Sequence, residues 1–169
     1  MTARETILSN IAAAAVPPSP AAAVVRAAST TSLIEPFLQM LSAVGGRGVV
    51  RRADQSVVDL VTSLADSVQG SVVVVPGRVA VAENGAVYVD AADLVARTDI
   101  VRAEHLVLVV PATALVPTMH EAVRRIPRGS ACGWFLSGPS KTADIEQSLV
   151  VGAQGARTLH VILDSLDAG

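Results

Sequence analysis

Cysteine, lysine and aromatic residues are nearly absent from this chain. A single cysteine, Cys132, stands among 169 residues, which excludes an intrachain disulfide, a cysteine-held iron-sulfur cluster and a Cys-rich zinc site. It also points to a reducing compartment. Aromatic residues make up 2% of the chain, so the core must be built from Val, Leu, Ile and Ala, the set expected for buried strands covered by Ala-rich helices. With a net charge of -2 and arginines scattered except at Arg51-Arg52 and Arg124-Arg125, there is neither a basic stripe nor a row of stacking rings for nucleic acid. No run reaches the roughly 20 apolar residues of a membrane span. The histidines His105, His120 and His160 lie far apart with no ligand spacing, so no metal site is expected.

What is present is aliphatic: 51% of the residues are hydrophobic. The length fits one domain with a single core. At the start, Ile7 to Val16 superficially resembles a secretory signal, but Glu5, Ser9 and Asn10 interrupt it. We expect a short amphipathic helix in a soluble, cytoplasmic protein. Val16-Pro17-Pro18-Ser19-Pro20 is a stiff break, giving an arm over 1–20 and one domain over 21–169.

In that domain, helical and strand signals alternate. Leu33, Phe37 and Leu41 recur at helical spacing, with Gly45-Gly46 as a stop. A strand is expected at Gly48 to Arg51, and Asp54 can cap a second helix with Val57, Val61, Leu64 and Val68 on one face. The valine run Ser71 to Val75 predicts a strand buried on both faces, the habit of a parallel sheet. Val79 to Asp90 predicts a hairpin around Asn84-Gly85, a two-residue turn pairing Glu83 with Ala86 and Val81 with Tyr88. His105 to Val110 is another strand. Pro117 opens a helix with Met119, Ala122, Val123 and Ile126 inward, and Gly133 to Leu136 and Leu159 to Leu163 are the last strands. The expectation is an α/β fold with a mainly parallel sheet and helices on both faces.

The stretch Ser137 to Gly155, SGPSKTADIEQSLVVGAQG, brings the chain's only lysine together with hydroxyls, two carboxylates and three glycines. If Gly133 to Leu136 is a parallel strand and Thr142 starts a helix, this loop lies where open α/β sheets hold ligands. Gly138 allows close backbone approach, and Ser140, Lys141 and Thr142 would set donors beside a helix N-terminus, which favours anions. The bland reading is a helix cap beside a solvated lysine.

The run Ser137 to Gln147, continued by Leu149 to Gly155 and Leu159 to Leu163, resembles the C-terminal signature of the lactate-utilisation protein C family, which carries the LUD domain. Ala82-Glu83-Asn84-Gly85-Ala86 resembles the family's Glu-x-Gly turn, and His105 to Val109 with Leu115-Val116-Pro117-Thr118 agrees with it. Gln154 stands where the family has a histidine, and the N-terminal part is shorter than the family's. The resemblance implies a fold like that of ribose-phosphate isomerase, glucosamine-phosphate deaminase and CoA-transferases. It also implies a part in oxidising L-lactate to pyruvate beside partner subunits that carry iron-sulfur clusters, with no cofactor in this chain. On this reading Lys141 attracts an anion, Ser137, Ser140 and Thr142 donate to it with Gly138 giving room, and Asp144 and Glu146 order the loop or meet a partner. Two alternatives remain. Ala82-Glu83-Asn84-Gly85 also resembles the Ser-Glu-Asn-Gly motif of CoA-transferases, in which Glu83 would be a catalytic nucleophile attacking a thioester or acting in phosphate-ester chemistry. Or the chain is a catalytically inactive metabolite-binding domain.

Overall fold

The computed structural model describes residues 2–13, 32–142, 150–152 and 154–165. The chain divides into two units, Met1–Thr30 and Thr31–Gly169. In the first, helix α1 (Ala3–Ala13) starts with a reciprocal cap: the Thr2 amide donates to Glu5 and the Glu5 amide to the Thr2 hydroxyl. Its apolar and polar residues are mixed around the axis rather than gathered on one face, so the expected amphipathic character is absent. The proline break falls outside the described residues.

In the second unit, α2 (Ile34–Ala43) buries Phe37 and Leu41, as their spacing predicts. It ends where Gly45, at φ 87°, turns the chain and the Gly46 amide reaches back to the Leu41 carbonyl at 2.8 Å. Strand β1 (Arg47–Arg51) follows, then α3 (Val57–Asp66). Its cap is Ser56, whose hydroxyl accepts from the Val58 amide, and not Asp54. The remaining strands are β2 (Val72–Pro76), β3 (Val79–Val81), β4 (Ala86–Asp90), β5 (His105–Pro111), β6 (Leu115–Val116), β7 (Gly133–Leu136), β8 (Lys141–Thr142), β9 (Val150–Val151) and β10 (Thr158–Asp164). Two short helices, α4 (Asp99–Arg102) and α5 (Met119–Arg125), complete the set. Thr118 caps α5, and Val123, expected inward, is exposed while Ala122 is buried.

One sheet is four-stranded and wholly parallel, in the order β1-β10-β5-β2. A second four-stranded sheet runs β6-β3-β4-β7, and β8 pairs with β9 as a small antiparallel ribbon. Three expectations are corrected here. Among the described residues the valine run is an edge strand, paired on one side only by β5, with Val74 left exposed. Gly133 to Leu136 is antiparallel to β4 in the second sheet, where Phe135 lies opposite Tyr88 with ring centroids 5.2 Å apart. The β3–β4 register sets Val81 against Ala86, so the connection is four residues, Ala82 to Gly85. The longer turn arises because the Ala82 and Glu83 amides pair with the Val116 and Pro117 carbonyls, which keeps the chain on β6 until Gly85 turns it at φ 66°.

The core explains the layering. One face of each sheet and α2 share a cluster in which Phe37 and Leu41 meet Leu108, Val161 and Leu163 of the parallel sheet and Ala80, Val87 and Val89 of the second. On the far face of the second sheet, α5 covers Val79, Val81 and Tyr88 through Met119, Ala122 and Ile126. On the far face of the parallel sheet, Leu60 and Leu64 of α3 stand over Val49 and His160. Helices thus flank the parallel sheet on both faces, as expected of an α/β fold.

Candidate functional site

The Ser137–Thr142 loop lies at the C-terminal end of α2. The Lys141 ammonium donates to the Val44 carbonyl at 2.7 Å, a cation at the negative end of a helix. Gly138 has φ 76°, and a β-carbon there would stand 2.4 Å from the same Val44 carbonyl oxygen. The close approach expected of Gly138 is therefore made to α2. The Ser137 hydroxyl donates to the Asn84 carbonyl at 2.8 Å, which joins the loop to the β3–β4 turn. A β-carbon on Gly85 would lie 2.7 Å from the Leu41 amide nitrogen, so the turn is also seated on α2. The Ser140 amide donates to Ala156 and its carbonyl accepts from Gly152, both at 2.9 Å, which ties the loop to the segment that leads into β10. Loop, turn and helix end form one junction.

The placement differs from that expected, because the strand that leads into the loop is antiparallel to β4 in the second sheet and no helix starts at Thr142. Lys141 and Thr142 belong to a strand rather than a helix start. Asp144 and Glu146 lie outside the described residues. Glu83 is exposed, and its carboxylate accepts from the Met119 amide at 2.9 Å, so it caps the first turn of α5. Lys141 is exposed and spends one of its three N–H donors on Val44, and Ser140 is half-buried.

A separate crevice of about 450 Å³ opens at the carboxyl ends of β2, β5 and β10, the usual ligand position of a parallel sheet, lined by Gly77, Arg78, Val109, Pro111 and Asp164. Arg78 is held by Asp93 through two bonds of 2.6 and 2.7 Å, and that pairing keeps the guanidinium firmly protonated. The same arginine lines a second cavity, of about 350 Å³, with Asp90, Arg97, Ser130 and Cys132. There the buried Asp90 carboxylate accepts from the Ala92 amide at 2.9 Å, and this bond, with the nearby Ser130 hydroxyl, lowers its pKa from the ordinary carboxylate value. Neither cavity was read from the sequence. The available signal was Asp90 itself, a carboxylate ending an apolar strand.

Comparison with known proteins follows the same outline. Residues 65–163 match the profile of the LUD domain. The chain belongs to the LUD domain family. The matched stretch holds both the Glu83–Gly85 turn and the Ser137–Thr142 loop of this LUD domain. Lactate utilization protein C 1 of Bacillus mycoides is 41% identical over 69 residues, covering 36% of this chain and 30% of that protein. Lactate utilization protein C of Shouchella clausii is 32% identical over 93 residues, covering 51% of this chain and 41% of that protein. The LUD chain thus spans less than half the length of these curated relatives. Among solved structures, a DUF162 family protein from Deinococcus radiodurans superposes with a TM-score of 0.57 at 16% identity, covering 79% of this chain and 96% of that one. That likeness supports the α/β fold. No helix of the described residues is long and apolar enough to cross a membrane.

Proposed function

We propose that this LUD domain is a component of L-lactate utilisation that carries no cluster of its own, works beside iron-sulfur partner subunits, and binds a small anion at the 137–146 loop. The observation that carries the reading is that the family match runs through the loop and the turn docked on it, and that two relatives similar over part of this chain are named for lactate utilization. One cysteine is too few to ligate a cluster within the chain, so the redox centre belongs to a partner. The anion site is supported by Lys141, which keeps two N–H donors after its bond to Val44, next to the half-buried Ser140.

A ligand that binds only the native state raises its apparent stability. In a thermal-shift panel of lactate, pyruvate, phosphate and acetyl-CoA, the reading expects one carboxylate or phosphate to stabilise the protein and Lys141→Met to abolish that increment, whatever the variant's own melting temperature. A tagged chain recovered from its own cells should retain a protein rich in iron and acid-labile sulfide. No shift with any anion removes the loop assignment, and a pull-down free of iron removes the partner.

A further inference from the structure

A different cavity carries a sharper chemical assignment. It lies between α3 and the outer face of the parallel sheet, has a volume of about 290 Å³, and is lined by the apolar side chains of Val49, Leu60 and Leu64 with three polar ones, Arg47, Ser63 and His160. His160 is 7% exposed, yet neither ring nitrogen has a hydrogen-bond partner among the described residues. Every fully enclosed side-chain nitrogen and oxygen among those residues does have a partner, so the unpaired imidazole is turned to the cavity. Its ring nitrogens reach the cavity, where a ligand can take the hydrogen bonds that the described residues leave unmade.

The register supplies the second group. Arg47 and His160 are paired positions on the adjacent strands β1 and β10, so both side chains leave the same face of the sheet side by side. Arg47 is exposed and forms no ion pair among the described residues, and no carboxylate lines the cavity. Burial first, and Arg47 second, lower the His160 pKa from its ordinary value, so near neutral pH the ring is an uncharged donor and acceptor beside a fixed cation. His105, the other imidazole near it, is already occupied by Thr158 at 2.8 Å and Gln69 at 2.9 Å. One imidazole without a carboxylate is a poor metal site, and 290 Å³ is at the small end of ligand pockets, which run from about 300 Å³ upward. An apolar wall facing a cation and a neutral imidazole suits a small anion with a short apolar tail.

We infer that this cavity binds a small aliphatic monocarboxylate, with its carboxylate on Arg47 and His160 and its tail against Leu60 and Leu64. The assignment is independent of the loop and of the family reading.

The test uses the full chain with isotope-labelled histidine, titrated with butyrate at fixed ionic strength, with butyramide and butylammonium as neutral and cationic probes of the same shape. Butyrate should move the His160 ring signals saturably and leave His120 in place. Removing a charged partner costs about tenfold or more in affinity, so Arg47→Gln should weaken binding by that factor. Ser63→Trp, a change at an exposed position, should block the cavity and abolish the shift. Arg47 is exposed as well, so neither variant depends on refolding the core. The assignment fails if the His160 shift does not saturate, if chloride reproduces it, if butyramide binds as well as butyrate, or if Arg47→Gln binds within about twofold of the native chain.

Discussion

Gly138→Ala tests whether the loop is built on the end of α2. The residue has φ 76°, and an added β-carbon would fall 2.4 Å from the Val44 carbonyl oxygen, a separation that real β-carbons essentially never show. The left-handed conformation itself costs an alanine about 1 kcal/mol. The clash is with backbone, which cannot rotate aside, so the loop must lift. That breaks or stretches the Lys141 bond to Val44 and the Ser137 bond to Asn84, each contributing about 0.5–1.5 kcal/mol. The sum is a loss of about 2–4 kcal/mol, or roughly 5–15 °C in melting temperature for a domain of this size. Lys141→Met removes only the ammonium bond and should cost about 1 kcal/mol. Urea unfolding followed by the fluorescence of the single tryptophan, Trp134, measures both, with unchanged m-values showing that the folded and unfolded states keep their compactness. Hydrogen exchange at the Gly46 amide, bonded to Leu41 at 2.8 Å, should accelerate in Gly138→Ala. A Gly138→Ala protein within about 0.5 kcal/mol of the native one, or one more stable than Lys141→Met, would refute the docking.

Other positions give further checks. Phe37 is fully buried between the two sheets, so Phe37→Ala should cost about 3–5 kcal/mol in the same urea titration. Glu83→Ala removes the acceptor of the Met119 amide and should cost about 0.5–1.5 kcal/mol with faster amide exchange at Met119; a neutral effect there would free the carboxylate for chemistry. The His160 pKa lies below its ordinary 6.5, so as pH falls through 6.5 the unfolded chain takes up a proton that the folded chain still refuses. The stability contributed by His160 is therefore complete above that pH and declines below it until the lower folded pKa is passed, and a series of urea titrations on His160→Gln should show that limb flattened.

Much of the architecture was legible from local pattern. The spacing of Phe37 and Leu41 and the following glycines specified α2 and its end, while of the expected face of α3 Leu64 stands over the sheet beside Leu60, which the spacing did not single out, and Val68 lies past the helix end at Asp66. What failed was partnering. The alternation of Val79 to Asp90 marks strands, but the choice between a two-residue and a four-residue connection was made by β6, through the Val116 and Pro117 carbonyls, which are distant in sequence. The valine run at β2 is uniformly β-branched whether a strand lies at an edge or in the centre, so its exposure at Val74 could not be read from the run. Gly133 to Leu136 carries no sign of strand direction; its place beside β4 follows from the Tyr88–Phe135 contact and from the room a glycine leaves, since a β-carbon on Gly133 would meet the Tyr88 ring.

The candidate site divides along the same line. The polar residues of the 137–142 loop were found because they are unusual in so aliphatic a chain, and several of them serve first to fasten structure. Gly138 admits the Val44 carbonyl, Ser137 holds the β3–β4 turn, and Ser140 is tied through its backbone to the segment leading into β10. Among the described side chains of the loop, these contacts leave over for an anion the spare donors of Lys141 and the side chain of Ser140. His160 is the converse case. It sits in the apolar run Leu159 to Leu163, where sequence logic reads a packed core histidine, and it is packed, but its ring nitrogens have no partner among the described residues. Only the register that sets it beside Arg47 turns a buried residue into one with unspent binding capacity. In the described part of the 137–142 loop, Ser137, Gly138 and Lys141 hold the β3–β4 turn and the end of α2 together, whereas His160, in an apolar run, keeps ring nitrogens with no partner among the described residues.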